Sequence, residues 1–216
     1  MAEHVDSNQL NDDVRYRFEY LSKFLSFTSD DITMLNDFAL ILSPRIPVIT
    51  DTVYRKLFSF DITKHYFIMR NHDFDHSSTS HEKNLTLESA QMTFRKDMLS
   101  KYLKRIFTEK EWNDTFLQYL FQIGRIHTNQ AGLTSINVDY IHINALLGYL
   151  ESSLIEIILN AENLDEITKR AMILAINKLF WIQNDFFSMN FLAESKNNSS
   201  ARDKNIKTPP SCCLLS

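Results

Sequence analysis

Three glycines and four prolines in 216 residues leave too little turn chemistry for a fold made of many short strands. Sixteen phenylalanines and an aromatic share of 12% supply ample material for a core, and the length suits one folded domain rather than two. Apolar residues recur every three or four positions in one stretch after another, which is the period of a helix with one face turned inward. The class expected is therefore all-α.

Residues 1–13 are polar and acidic and read as a frayed start. Val14, Phe18, Leu21, Phe24 and Leu25 form the first stripe, enough for about three turns. Thr28 with Asp31 is a capping-box pair, opening a helix through Ile32, Leu35, Phe38, Ala39 and Leu42. Pro44 should end it, and Pro47 suits the first turn of the next. That third helix carries Thr50, Val53, Tyr54, Leu57 and Phe58, which aims the Tyr54 phenol at the core, where its hydroxyl needs a partner. Phe60 to Met69 reads as a short helix or turn. Arg70 to Glu82 reads as a polar loop in which His72, Asp73, Asp75, His76 and His81 have the residue types of a zinc site but no defined zinc spacing. Leu85 to Phe107 gives a long helix with Leu87, Met92, Phe94, Met98, Leu99, Tyr102 and Leu103 available for burial.

In the second half, Trp112, Phe116, Leu120, Ile123 and His127 fall on one helical face, so His127 is predicted to point inward. Thr108 and Glu111 make a capping box at the start of this element, and Gly132 supplies a left-handed stop at its end. An imidazole so placed is either a hydrogen-bonded core residue or a ligand to something apolar lying against the stripe; the spacing alone allows both. Asn137 is expected to cap a helix with the stripe Val138, Ile141, Ala145, Leu150, Leu154, Ile157 and Ile158, with His142 standing beside it. Asn163 with Glu166 should open a last long helix through Ile167, Ala171, Leu174, Ile182 and Phe186 to about Leu192. The expectation is a domain over residues 14–192 of seven or eight helices, followed by a flexible tail over 193–216. Sustained heptads are missing, so the helices should cross at an angle rather than coil.

A net charge of -4 and a sequence pI near 6.0 speak against a nucleic-acid partner, which requires a basic face to displace counterions. No run approaches eighteen apolar residues and the first residues are polar, so neither a membrane-spanning helix nor a secretory signal is expected. Both cysteines lie in the last five residues, where they cannot staple a core.

The run Ile123-Gly124-Arg125-Ile126-His127-Thr128-Asn129-Gln130-Ala131-Gly132, followed by Tyr140 and Ala145-Leu146-Leu147-Gly148-Tyr149-Leu150, resembles the proximal segment of protoglobins and of the globin domains of globin-coupled sensors. Val53-Tyr54-Arg55-Lys56-Leu57 resembles the helix that carries a distal tyrosine in those proteins, and Arg15 to Phe27 could supply their extra helix before the globin core. Many relatives have an aromatic residue where Val53 stands. The resemblance implies a globin-like fold that holds haem b, with His127 as the proximal iron ligand and Tyr54 as a distal hydrogen-bond donor. Phe67, Phe94 and Met98 become nominees for pocket walls. It implies reversible binding of a diatomic gas, oxygen or else nitric oxide or carbon monoxide, and allows a homodimer through the last two long helices. No Cys-x-x-Cys-His run is present, so such a haem would be non-covalent.

Cys213-Leu214-Leu215-Ser216 reads as a terminal prenylation box, with serine pointing to a farnesyl group and Cys212 available for palmitoylation. One prenyl chain holds a membrane weakly, so the second lipid would matter. The expectation is thus a eukaryotic-type gas sensor or carrier in the cytoplasm, tethered to the cytoplasmic membrane leaflet and acting through a downstream protein. Two alternatives remain at this stage. One is a haem enzyme, a nitric oxide dioxygenase or a peroxidase-like activity; the other is a prenylated all-α adaptor that has lost haem.

Overall fold

In a computed structural model of the chain, residues 2–69 and 85–206 are described, and every regular element among them is helical. The first is a short turn of helix, α1 (Ser7–Asp12), where a frayed start was expected; Asp6 caps it by accepting from the Asn8 amide at 2.8 Å. In α2 (Val14–Leu25) the Asp13 carboxylate accepts from the Tyr16 amide, and Ser26 ends the helix in the left-handed conformation at φ 52°. The capping box of Thr28 and Asp31 opens α3 (Ser29–Leu42) as expected. Pro44 lies in a 3-10 turn (Ser43–Arg45) and Pro47 in the first turn of α4 (Ile46–Phe58), so the prolines divide the two helices as their missing donors require. Then come α5 (Asp61–Met69) and α6 (Ala90–Thr108). His72, Asp73, Asp75, His76 and His81 lie outside the described residues. The chain continues in α7 (Asp114–Ile126), α8 (Tyr140–Leu159) and α9 (Glu166–Ile206).

The caps of the second half differ from those expected. Thr108 is the last residue of α6, its hydroxyl donating to the Lys104 carbonyl at 2.8 Å, and Asn113 caps α7 by accepting from the Phe116 amide at 3.1 Å. Asn137 is left-handed at φ 46°, and α8 begins after Asp139. Asp165 rather than Asn163 caps α9, accepting from the Ile167 and Thr168 amides at 2.9 Å each. Short polar side chains cap interchangeably, so where several stand within a few residues the spacing does not choose among them. Gly132 has φ 61° inside a 3-10 turn (Asn129–Thr134), well after α7 has ended at His127.

The buried faces of α8 and α9 follow the expected stripes at Leu150, Leu154, Ile158, Ile182 and Phe186 and depart from them in the earlier turns. On α8 the buried residues are Ile143, Leu147, Leu150, Leu154 and Ile158, and Ile141 is 69% exposed. On α9, Met172, Ala175, Ile176, Leu179, Phe180, Ile182 and Phe186 are buried, whereas Ile167 and Leu174 are 83% and 49% exposed. Both helices are apolar on more than one side, and a 3.6-residue period cannot then select the inward one. The helix α9 also runs on to Ile206 rather than stopping near Leu192.

The core forms where α9 crosses α3, α7 and α8, while α6 packs on α3 and α4. The extra helix α2 lies across α7 and α9, with Phe18 stacked on Trp112 at 5.5 Å and Phe27 tilted against the same indole at 4.7 Å. Ion pairs fix α9 to the N-terminal helices. Arg17 binds Asp185 through two nitrogens, and Lys178 lies 2.9 Å from both carboxylate oxygens of Asp31 while donating to the Ser26 carbonyl at 2.7 Å. By length and hydropathy alone Ser29–Phe58 and Tyr140–Leu159 would suit a bilayer span. In the fold the first is divided at Pro44, and both supply core faces.

Candidate functional site

The C-terminal end of α7 is held against α9 at three levels. Gln183, 1% exposed, donates through Nε2 to the Leu120 carbonyl at 3.3 Å, and Asn190, 2% exposed, donates through Nδ2 to the Phe121 carbonyl at 3.3 Å. One turn on, Gly124 lies so close to α9 that a Cβ there would sit 2.8 Å from the Phe186 carbonyl oxygen and 2.9 Å from Asn190 Nδ2. Below it Gln130 Nε2 donates to the Asn190 carbonyl at 2.9 Å. These contacts fix the segment that follows, in which His127 occupies the C-cap and the Val138 amide returns to its carbonyl at 3.0 Å.

His127 is half-buried, its ring edge-on to Phe187 at 5.3 Å. Its Nδ1 lies 2.7 Å from the Ile123 carbonyl oxygen. A carbonyl only accepts, so Nδ1 carries the proton and donates, which makes Nε2 the basic nitrogen and fixes the ring about its Cβ–Cγ bond. This tautomer, oriented by a backbone carbonyl, is the one an imidazole needs to bind a metal through Nε2. The donor set therefore fits an iron porphyrin. Among the described residues no group of three His, Cys, Asp or Glu side chains is arranged to hold a bare metal ion.

Across the fold, Tyr54 stands on α4 in a second apolar cluster with Phe67, Leu85 and Met92. Its ring is edge-on to Phe67 at 5.9 Å, and its hydroxyl donates to the Arg95 carbonyl of α6 at 3.0 Å. Burial pushes the phenol up to about 12, so it stays protonated, and a donor, throughout the physiological range. Phe67 is buried, whereas Phe94 and Met98 lie on the outward side of α6, 55% and 47% exposed, and Met92 takes the place beside Phe67. Between the two groups α6 packs chiefly on α3 and α4 and α7 on α9 and α2, with Arg105 of α6 lying 3.8 Å over the Tyr119 ring of α7. His142 packs edge-on to Tyr66 at 5.7 Å, on the side where Tyr66 donates to Asp139. Cys212 and Cys213 lie outside the described residues.

The sequence reading missed Gln183 and Asn190, and held Gly124 only as part of the Ile123 to Gly132 run. The only trace available was polar residues seven apart, Gln183 and Asn190, within an apolar helix.

A family model described as Protoglobin matches residues 14–197, most of the chain and all of the site. The chain belongs to the protoglobin family. Among solved structures, the globin domain of a globin-coupled sensor from Geobacter sulfurreducens superposes with a TM-score of 0.61 at 16% identity, covering 80% of this chain and 96% of that one. This protoglobin therefore has the globin fold, and its family implies a haem cofactor. No curated protein matches its sequence significantly.

Proposed function

We propose that this protoglobin holds haem b without covalent attachment, binds the iron through His127 Nε2, and takes up a diatomic gas reversibly as a sensor or carrier. The observation that carries the reading is the His127 ring, with its Nδ1 proton on the Ile123 carbonyl at the end of a helix anchored by Gly124 and Asn190. Haem supplies an iron that binds oxygen, nitric oxide or carbon monoxide. The chain supplies the imidazole, apolar walls that include Phe67 and Met92, and the distal phenol of Tyr54. Addition of carbon monoxide to the reduced, haem-loaded protein should shift its absorption spectrum, and removal of the gas should reverse the shift. An unshifted spectrum would count against gas binding.

Tyr54 has one proton, and it rests on the Arg95 carbonyl. To donate to bound oxygen the hydroxyl must turn from that acceptor, so its net contribution is that of a neutral hydrogen bond exchanged for another, about 0.5–1.5 kcal/mol at most. Tyr54→Phe is expected to raise the oxygen dissociation rate up to about tenfold and leave carbon monoxide dissociation nearly unchanged, since that ligand carries little negative charge. Stopped-flow displacement reads both rates.

The proposal extends to location. A prenyl chain on Cys213, seconded by palmitate on Cys212, would hold the protein on the cytoplasmic leaflet beside a downstream partner, and exposed Ile167, Leu174 and Trp181 on α9 offer a surface for a second copy. The support for the lipid is the order Cys-Leu-Leu-Ser itself. Cys213→Ser should move the protein from the membrane to the soluble fraction of a eukaryotic cell; unchanged fractionation would remove the anchor from the account.

A further inference from the structure

The turn that joins α4 to α5 carries apolar side chains at positions that are ordinarily polar. Phe60 stands in the turn, 50% exposed, and Ile62 in the first turn of α5, 56% exposed. Their positions are fixed from below. Thr63, 8% exposed, tucks its hydroxyl between the Leu57 and Phe60 carbonyl oxygens, and the Asp61 carboxylate accepts from the Ile62 amide at 2.7 Å. The corner is thereby held by its own hydrogen bonds, with the two apolar side chains left facing water. A single exposed apolar residue needs no explanation, but two large ones on one fixed turn form a patch.

Cations stand beside this patch. The Lys56 ammonium lies 5.4 Å from the centroid of Phe60 and 5.7 Å from that of Tyr149 on α8, and the Lys64 ammonium lies 5.6 Å from that of Phe58. Arg55 is committed to Asp51 at 2.5 Å, which leaves Asp61 as the acidic side chain of the turn. Lysines laid along rings keep their alkyl stems on apolar surface and their charges at its edge. The combination selects its occupant. A helix or an extended peptide needs a groove or a sheet edge, whereas a turn between two helices is convex. Rings and alkyl groups rimmed by ammonium groups match the boundary of an anionic bilayer, where apolar side chains enter the headgroup level and lysines meet phosphates.

We infer that the corner between α4 and α5 is a membrane-contact site, in which Phe60 and Ile62 enter the headgroup level of an anionic leaflet while Lys56 and Lys64 meet its phosphates. The corner joins the helix of Tyr54 to the helix of Phe67, so the contact sets that half of the molecule against the bilayer. It requires neither haem nor a lipid on Cys213.

The test mixes the full chain, produced without a prenyltransferase so that Cys213 carries no lipid, with sedimentable vesicles of phosphatidylcholine, with and without phosphatidylserine. The chain should sediment with the phosphatidylserine vesicles, much less with phosphatidylcholine alone, and less again as salt rises. Phe60→Ser combined with Ile62→Ser should weaken the binding about tenfold or more, and Lys56→Ala combined with Lys64→Ala by a similar factor. Leu40→Ser, at a side chain 79% exposed on α3, should leave it unchanged. The variants are compared at wild-type helicity by circular dichroism. Phe60→Trp gives a reading that needs no loss of binding: its added emission should move to the blue when phosphatidylserine vesicles are present. A wild-type chain that stays in solution with those vesicles overturns the inference. So does binding that the corner substitutions leave intact or that Leu40→Ser weakens equally, and so does a Phe60→Trp emission that the vesicles do not move.

Discussion

His127→Ala is expected to leave the chain folded and unable to retain haem. The side chain is half-buried at a C-cap, where it donates to the Ile123 carbonyl at 2.7 Å and meets Phe187 edge-on. Losing these costs about 1–2 kcal/mol, a minor part of the stability of a domain this size. The neighbouring backbone keeps its ties: Thr128 is fully buried with its hydroxyl on the Arg125 carbonyl, and Gln130 remains on Asn190. The loss should therefore fall on the iron. The variant should keep wild-type helicity by circular dichroism and lose the Soret band on passage through a desalting column. His127→Gly, supplied with imidazole, should regain it, because the free base enters the space the side chain vacates. A His127→Ala protein that keeps a wild-type band would move the ligand elsewhere.

Gly124→Val should produce the largest loss of stability of any single change near the site. The Cβ of any side chain at this position meets the Phe186 carbonyl oxygen at 2.8 Å, and a backbone oxygen cannot turn aside as the end of a long side chain can. In an open helix the same change would cost little or even help, since glycine is about 1 kcal/mol poorer than alanine there. Here the helices must part. Overpacking of that kind costs about 1–3 kcal/mol, occasionally more, and valine adds two methyl groups to the clash. Parting α7 from α9 also strains the bonds from Asn190 and Gln183 to the Phe121 and Leu120 carbonyls, which hold the turn before His127. Urea unfolding should show a lowered midpoint, and haem should bind more weakly as well. Gly148 supplies the control: nothing lies within 4 Å of a Cβ placed there, so Gly148→Ala should be neutral or stabilising by up to about 1 kcal/mol. Equal effects at the two glycines would contradict the close crossing of α7 and α9.

What the sequence made legible was local. Thr28 with Asp31, and the two prolines after Leu42, act within a few residues of themselves, and the structure shows the cap and the break where those residue types require them. The inward side of the α7 stripe was legible for the same reason, with Trp112, Phe116 and Leu120 buried. Its end was not, because Gly132 suggested a stop that the chain makes at His127. Contacts between distant residues left no periodic trace. Gln183 meets Leu120 and Tyr102 from sequence separations of 63 and 81 residues, and Tyr54 meets Arg95 across 41. Gly124, quoted from the sequence only within the Ile123 to Gly132 run, is a crossing point. The resemblance nominated Phe94 and Met98 as walls; both are largely exposed, and the side of α6 beside Tyr54 carries Met92 and Arg95.

Absorption spectroscopy of the purified chain titrated with haem tests the central claim most directly. The account predicts a Soret band that saturates at one haem per chain, together with a carbon monoxide difference spectrum in the reduced protein that marks histidine as the ligand opposite the gas. A titration showing no saturable band, in a protein whose circular dichroism is that of a folded helical domain, would contradict it.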